Sequence, residues 1–288
     1  MFDHKKATEL VLTSLVADTY SLGPHWIYDA KELDALDIDW QQLNDAKAKW
    51  HEGKHAGDFT HYGDQTLWLY EFLQDKNHFD VGEYIAFWQI KMATYNGYID
   101  GAMKGTLENI QAGITPTGSS STDTSIVGRI APLLLVSDSR QGFLENVVLF
   151  VSSTHNADEI IAPATFFADL LVEVLSGKDV IQAISQLKPH YNTNIQRYVE
   201  QGIRSSSDDT IDAIREFGPA CGIEGGFPSI IHLLTKYDKL EDMLIANAKA
   251  GGDTSGRAMI AAIIFMAQST RTINDIPSAW LRLNTTLV

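Results

Sequence analysis

The sequence predicts an all-α fold, and three observations support this prediction. Apolar residues recur at helical spacing in one segment after another, and no segment alternates apolar and polar residues as a strand does. No hairpin dipeptide lies between alternating runs, and no repeat of fixed period occurs. The composition does not change along the 288 residues. We therefore expect one compact multi-helix domain that spans residues 1–288.

The predicted helices follow from the apolar spacing and from helix stop signals. The first, at residues 7–20, ends before Gly23-Pro24, because a glycine followed by a proline terminates a helix. Residues 31–49 are polar and predict a short surface helix and a loop. Residues 116–124 are the clearest loop, and residues 222–228 predict a turn. Further helices are expected at residues 67–73, 81–95, 97–114, 126–136, 143–151, 160–175, 180–187, 195–201, 211–217, 229–235, 240–250 and 258–267.

The composition limits the classes of function. A formal net charge of −15 argues against a nucleic acid or an anionic membrane as the main partner. Cys221 is the single cysteine, so no intrachain disulfide can form, and its glycine-rich neighbours predict a small thiol in a turn. The apolar run near the N-terminus is too short and too polar for a signal peptide or a membrane span. We expect a cytoplasmic protein, and the oligomeric state stays open.

Two glycine-rich segments with aspartates and hydroxyls each lead into an apolar helical run. They are residues 57–66 and residues 251–257. Oxygen and N–H groups held close together suit a hard cation or a phosphate. The same residue types are also the preferred helix N-caps, so capping is the simpler interpretation of each segment alone.

Two further residues have a structural and a functional interpretation. Arg129 lies inside an apolar run and needs a partner, because an unpaired buried charge is costly. That partner is either a helix end or an aspartate, or else the arginine holds an acidic loop or a phosphate. His155 lies between Thr154 and Asn156, directly before a predicted helix, where it either faces solvent or caps the helix, or contacts a ligand.

Five segments occur in a particular order along the chain: Ala17-Asp18 with Gly23-Pro24, Asp64 with Thr66, Arg129-Ile130-Ala131-Pro132-Leu133, Thr154-His155, and Gly251-Gly252-Asp253. Together they resemble the ADP-ribosylglycohydrolase family, which includes the J1-type crystallins. The resemblance spans most of the chain.

The resemblance implies an all-α fold with a cleft that binds ADP-ribose beside two magnesium ions. It implies hydrolysis at C1″, which releases ADP-ribose from an amino-acid side chain or another acceptor. The partner would then be ADP-ribose, either as part of a small molecule or attached to a protein. Carried over to this sequence, the expected metal ligands are Asp64, Gln65, Asp253 and Ser255, the catalytic residues are Asp18, His25 and Asp64, and the substrate-binding residues are His155, Arg129 and Gly252.

The sequence departs from the family pattern within both metal motifs. The replaced positions are Gly63, Gln65, Ser255 and Gly256. Two of four carboxylates are lost, which predicts weakened or lost Mg²⁺ binding, because the affinity for a divalent cation follows the charge of its ligands. The acidic residue of the opening loop also has no counterpart. His25 stands there in an ungapped comparison, and Trp26 after a shift of one residue.

We therefore favour a magnesium-dependent hydrolase of an ADP-ribosyl bond. The alternative is a non-catalytic relative that lost the metal site, either a binder of ADP-ribose-like molecules or a structural, crystallin-like protein. A third hypothesis is an enzyme that acts on a glycosidic substrate without the diphosphate.

Overall fold

The computed structural model describes residues 2–285, and this part of the chain contains thirteen α-helices and no strand. The all-α prediction is confirmed. Among residues 2–285, no helix combines the length and hydropathy that a membrane-spanning segment needs. The helices are α1 (His4–Ser21), α2 (Ala30–Asp34), α3 (His61–Leu73), α4 (Val81–Ala93), α5 (Gly101–Gln111), α6 (Arg140–Thr154), α7 (Asp158–Leu175), α8 (Val180–Leu187), α9 (Thr193–Arg204), α10 (Thr210–Phe217), α11 (Ile223–Lys236), α12 (Leu240–Ala250) and α13 (Thr254–Met266).

Aspartate side chains start many of these helices. Each accepts a hydrogen bond from a backbone N–H of the first turn, which has no partner within the helix. The capping residues of the α-helices include Asp3, Asp29, Asp80, Asp100, Asp179, Asp209 and Asp253. Part of the acidic surplus of the sequence therefore has a local structural role.

Helix α13 forms the centre of the core. All of its residues are buried, as expected for a helix that packs on every side. Helices α1, α11 and α12 pack against it, as does the 3₁₀ helix Thr124–Arg129. At Gly128 an added Cβ would lie 2.5 Å from Cβ of Met259, so the small residue permits this close approach. Ser14 of α1 donates a hydrogen bond to the carbonyl of Gly128 at 2.7 Å.

Two predicted segments have a different structure. The predicted helix at residues 126–136 is instead a pair of 3₁₀ helices, Thr124–Arg129 and Ala131–Val136. Pro132 has no N–H to continue a helix, and it lies at the start of the second segment. The predicted turn at residues 222–228 belongs to α11. Its glycine Gly226 serves close packing, since a Cβ there would lie 2.5 Å from Oγ1 of Thr124.

Candidate functional site

The first acidic motif lies inside a helix rather than before one. Helix α3 begins at His61 and not at residue 67. Thr60 is its N-cap and accepts a hydrogen bond from the N–H of Tyr62 at 3.1 Å. Asp64 and Gln65 therefore point from the first turns of α3 in different directions.

The second motif is a glycine loop that caps α13. Gly251 and Gly252 adopt φ angles of 72° and 69°, a region that favours glycine. A Cβ at Gly252 would lie 2.1 Å from the carbonyl oxygen of Pro219. Asp253 accepts a hydrogen bond from the N–H of Gly256 at 3.3 Å. Asp253 is therefore a helix N-cap, and this hydrogen bond fixes the position of its carboxylate.

The glycine loop is also bound to the connection that follows α1. The N–H of Trp26 donates to the carbonyl of Gly252 at 2.8 Å, and the N–H of Gly252 donates to the carbonyl of Ile27 at 2.8 Å. Both backbone groups of Gly252, an expected substrate contact, therefore already have protein partners. The pairing brings His25 and Trp26 to Asp253.

Asp18 joins the two motifs directly. Its carboxylate accepts from the N–H of Thr60 at 2.8 Å and from the Thr60 hydroxyl at 2.6 Å. The hydroxyl of Ser255 donates to the same carboxylate. Burial raises the pKa of Asp18, although these hydrogen bonds oppose the shift. A Cβ at Gly63 would lie 2.2 Å from Oδ2 of Asp18, so the carboxylate fills the space beside Gly63.

The other two expected metal ligands also have protein partners. Oδ2 of Asp64 accepts from Nζ of Lys54 at 2.8 Å and from the hydroxyl of Tyr95 at 2.7 Å. The side-chain amide of Gln65 donates to the carbonyl of His61 at 3.1 Å and accepts from the indole of Trp88 at 3.1 Å. The side-chain oxygens of Gln65 and Ser255 are thus directed at Trp88 and Asp18.

A different set of side chains converges on Asp253. One ligand atom from each of Asp123, Cys221 and Asp253 lies within 4.8 Å of the others, and residues 2–285 contain no other His, Cys, Asp or Glu group of three or more this close. The hydroxyl of Tyr62 donates to Asp123 at 3.2 Å and to the Cys221 sulfur at 3.9 Å. The N–H of Thr124 donates to the carbonyl of Cys221 at 2.9 Å, which holds the two loops together. We call Asp123, Cys221 and Asp253 the acidic trio.

Burial raises the pKa of all three members of the acidic trio. Burial and the charge of Asp123 raise the pKa of Asp253 to about 7, and the nearby guanidinium of Arg257 opposes the shift. Burial and the charge of Asp100 raise the pKa of Asp123. Burial and the charge of Asp253 raise the pKa of the Cys221 thiol. Near neutral pH the two carboxyls can therefore share a proton or hold a cation between them.

His25 lies beside the acidic trio as a neutral base. Its Nδ1 is 3.7 Å from Oδ1 of Asp253 and accepts from the N–H of Ser255 at 3.3 Å. Burial and the neighbouring rings of His51 and His61 lower its pKa well below the usual value. With Nδ1 as an acceptor, Nε2 carries the proton. This buried Nε2 has no protein partner.

Three residues not singled out in the sequence form a buried chain next to His25. Nε2 of His51 lies 3.1 Å from Nδ1 of His61, and Nε2 of His61 lies 3.1 Å from Oδ2 of Asp100. Burial raises the pKa of Asp100, but the adjacent imidazole of His61, with Arg129 and a backbone N–H, outweighs this effect and lowers the pKa below its usual range. Asp100 is therefore an anion at neutral pH.

Arg129 and His155 were both expected to bind substrate, and their side chains contact neighbouring protein groups. The guanidinium of Arg129 donates to the hydroxyl of Ser125 at 2.8 Å and lies 5.0 Å from the ring centre of Tyr62. Nδ1 of His155 is 2.9 Å from the hydroxyl of Thr154. Burial and the charge of Arg129 lower the pKa of His155 to about 3. Both side chains are buried.

A cavity of about 640 Å³ opens beside these groups. Its wall combines three carboxylates, those of Asp100, Glu108 and Asp123, with a run of serines and the first turn of α5. Among the lining residues are Asp100, Asp123, Gly101, Ala102, Ser119, Ser120, Ser121 and Asn156. The serine loop is fixed by hydrogen bonds from the N–H of Ser119 to the carbonyl of Thr154 at 3.0 Å and from the N–H of Asn156 to the carbonyl of Ser119 at 2.7 Å.

Comparison with known proteins assigns the family. Residues 3–284 match the ADP-ribosylglycohydrolase family. Crystallin J1A of Tripedalia cystophora is 22% identical over 298 residues, covering 96% of this chain and 91% of the crystallin. Crystallin J1B of the same organism is 22% identical over 304 residues, with the same coverage. A solved structure described as an ADP-ribosylglycohydrolase-related protein complex is similar with a TM-score of 0.75 at 18% identity, covering 97% of this chain and 92% of that chain. The chain belongs to the ADP-ribosylglycohydrolase family, a family of hydrolases.

Proposed function

We propose that this protein hydrolyses the bond between ADP-ribose and an acceptor group, and releases ADP-ribose. The observation that carries the proposal is that Asp123, a member of the acidic trio, lines the 640 Å³ cavity together with Asp100. Departure of an acceptor from C1″ leaves positive charge on the ribose, and carboxylate oxygens stabilise that charge. The ionised Asp100 supplies such an oxygen at neutral pH.

The diphosphate of ADP-ribose is negatively charged and needs hydrogen-bond donors. The rest of the cavity wall contains such donors. The hydroxyls of Ser120 and Ser121 can donate to phosphate oxygens, whereas the hydroxyl of Ser119 already donates to the carbonyl of Thr154. Gly101 and Ala102 belong to the first turn of α5, where backbone N–H groups and the helix dipole favour an anion, and the Asp100 carboxylate already caps this turn through the N–H of Met103. These local donors are needed because the chain as a whole carries a net charge of −15.

We assign the general acid and general base roles to the groups around Asp253. With a pKa of about 7, the Asp253 carboxyl can exchange a proton with water or with the leaving group at neutral pH. The protonated Nε2 of His25 has no protein partner, but His25 has no exposed surface, so this N–H would donate only to a group that enters the protein interior. Both carboxylate oxygens of Asp18 already accept hydrogen bonds from Thr60 and Ser255, so its proposed role is to position these residues.

The metal expected from the resemblance fits only part of the structure. Asp123, Cys221 and Asp253 would hold one divalent cation, which would polarise water or ribose oxygens when bound. Magnesium prefers oxygen ligands, whereas a thiol suits softer ions such as zinc. Gln65 and Ser255 are directed at protein partners, so no step of the reaction is derived through a magnesium ion at those residues.

A second candidate function is a non-catalytic role. The curated relatives at 22% identity carry the name crystallin, and both metal motifs are altered in this sequence. In this case the protein either binds ADP-ribose without turnover or has only a structural role.

A direct assay distinguishes these functions. Peptides that carry ADP-ribose through an N-linkage or an O-linkage are incubated with the protein, and free ADP-ribose is measured. Asp123→Asn and Asp253→Asn should each lower the rate at least about 100-fold, since each removes a carboxylate from the reaction centre. Asp37→Asn, an exposed residue, is the control. Binding of ADP-ribose without release from any peptide would support the binder, and neither binding nor release would support the structural protein.

A further inference from the structure

A lysine just before the first motif, Lys54, supplies a positive charge to it. Nζ of Lys54 lies 2.8 Å from Oδ2 of Asp64, and the side chains are only 25% and 17% exposed. The hydroxyl of Tyr95 donates to the same oxygen at 2.7 Å. The ammonium balances the carboxylate of Asp64, whose neighbour Gln65 is neutral.

The backbone holds Lys54 in this position. Its N–H donates to the carbonyl of His51 at 3.0 Å, and its carbonyl accepts from the N–H of Ala46 at 3.1 Å. The segment before it is the 3₁₀ helix Lys49–His51, whose last residue is bound to His61 of α3. The lysine therefore approaches Asp64 from a segment that is attached to the same helix.

The two motifs are linked by hydrogen bonds between protein groups. Asp18 accepts from Thr60 beside the first motif and from Ser255 in the second. A Cβ at Gly63 would collide with Asp18 at 2.2 Å. A threonine at this position, as in the family pattern, would occupy the space that the Asp18 carboxylate fills.

We propose that the first motif binds no divalent ion: the Lys54 ammonium supplies the positive charge at Asp64, and the Asp18 carboxyl joins the two motifs by hydrogen bonds. A divalent cation at Asp64 would have to displace Lys54 and would find one available carboxylate, because Gln65 is neutral and Asp18 is bonded to Thr60 and Ser255; a single carboxylate binds a divalent cation weakly. The residues of the first motif thus disagree with the two-ion site that the family resemblance implies. The inference concerns the same site as the proposed function but does not depend on hydrolysis.

The first test measures cation binding without substrate. The protein is treated with a chelator and dialysed, and then titrated with MgCl₂ or MnCl₂ by calorimetry and by thermal unfolding. Asp64→Asn is compared with the wild type. We expect the cation-induced shift in Tm to be the same in both proteins, whether it is zero or arises at the acidic trio. A Mg²⁺ or Mn²⁺ shift that Asp64→Asn removes would overturn the proposal.

The second test measures the coupling between Lys54 and Asp64. Lys54→Met should lower Tm by about 2 °C in the wild-type background and by less than half as much in the Asp64→Asn background. Lys49→Met is the matched control, because Lys49 lies in the same segment over the ring of Trp50, at 4.6 Å. Equal effects of Lys54→Met in both backgrounds would refute the role of Lys54. Neither test uses a substrate, so failure to hydrolyse ADP-ribosyl peptides affects only the proposed function.

Discussion

Replacement of Gly63 by alanine tests the packing between α1 and α3. The added Cβ would lie 2.2 Å from Oδ2 of Asp18, 2.8 Å from its Cγ and 2.8 Å from Cβ of Phe59. Asp18 has 0% exposure and cannot move into solvent without losing its bonds to Thr60 and Ser255. Overpacking costs about 1–3 kcal/mol, and each lost hydrogen bond about 1 kcal/mol.

We therefore expect Gly63→Ala to lower the free energy of unfolding by about 3 kcal/mol, after allowance for the better helix propensity of alanine. For a domain of this size the loss corresponds to roughly 6 °C in Tm. Urea and thermal unfolding measure it. Gly101→Ala is the control, because Gly101 also lies in a first helical turn and a Cβ there has no neighbour within 4 Å. Equal stability of the two variants would refute the reasoning.

Three further predictions concern the second motif. Because the folded pKa of Asp253 is raised to about 7, its contribution to stability is full below about pH 4 and is lost as the pH rises through 7. Relative to Asp253→Asn, the wild type should lose about 1 kcal/mol per pH unit in this range by urea unfolding, and a constant difference would contradict the assignment. The raised pKa of Cys221 predicts alkylation by iodoacetamide at least about tenfold slower at pH 7.5 than in the unfolded chain, and equal rates would contradict it. Gly252→Ala, which meets the carbonyl of Pro219 at 2.1 Å, should lower Tm by roughly 5 °C more than Gly177→Ala, which has a positive φ but open space; similar losses would show that φ strain alone is the cause.

Sequence periodicity predicted the helices with strong apolar stripes and missed the irregular ones. Residues 180–187 and 240–250 form helices with the predicted bounds. Residues 126–136 are also apolar but form two 3₁₀ helices. A mostly buried segment shows no polar stripe that would reveal its periodicity. The glycines of α11 predicted a turn, yet they serve close packing, which only tertiary contacts reveal.

The sequence predicted the site residues that belong to recognisable motifs, but not the residues that distant loops bring together. Asp18, His25, Asp253 and Ser255 meet in the structure. Asp123 and Cys221 are brought to Asp253 by contacts between distant loops, namely the bridge between Asp123 and Gly222 and the hydrogen bond from the N–H of Asp253 to the carbonyl of Pro219. No local pattern encodes these contacts. The sequence also did not predict the chain of His51, His61 and Asp100, since an isolated histidine carries little sequence signal.

The hydrogen bond from Ser255 to Asp18 joins residues that are 237 positions apart. During synthesis, the buried face of α1 leaves the ribosome long before α13 exists to cover it. A product that ends before residue 254 lacks both the central helix of the core and one side of the candidate site. Prematurely terminated chains should therefore be degraded as unfolded protein rather than persist as partly active fragments, so only the finished chain gains its stability and its site together.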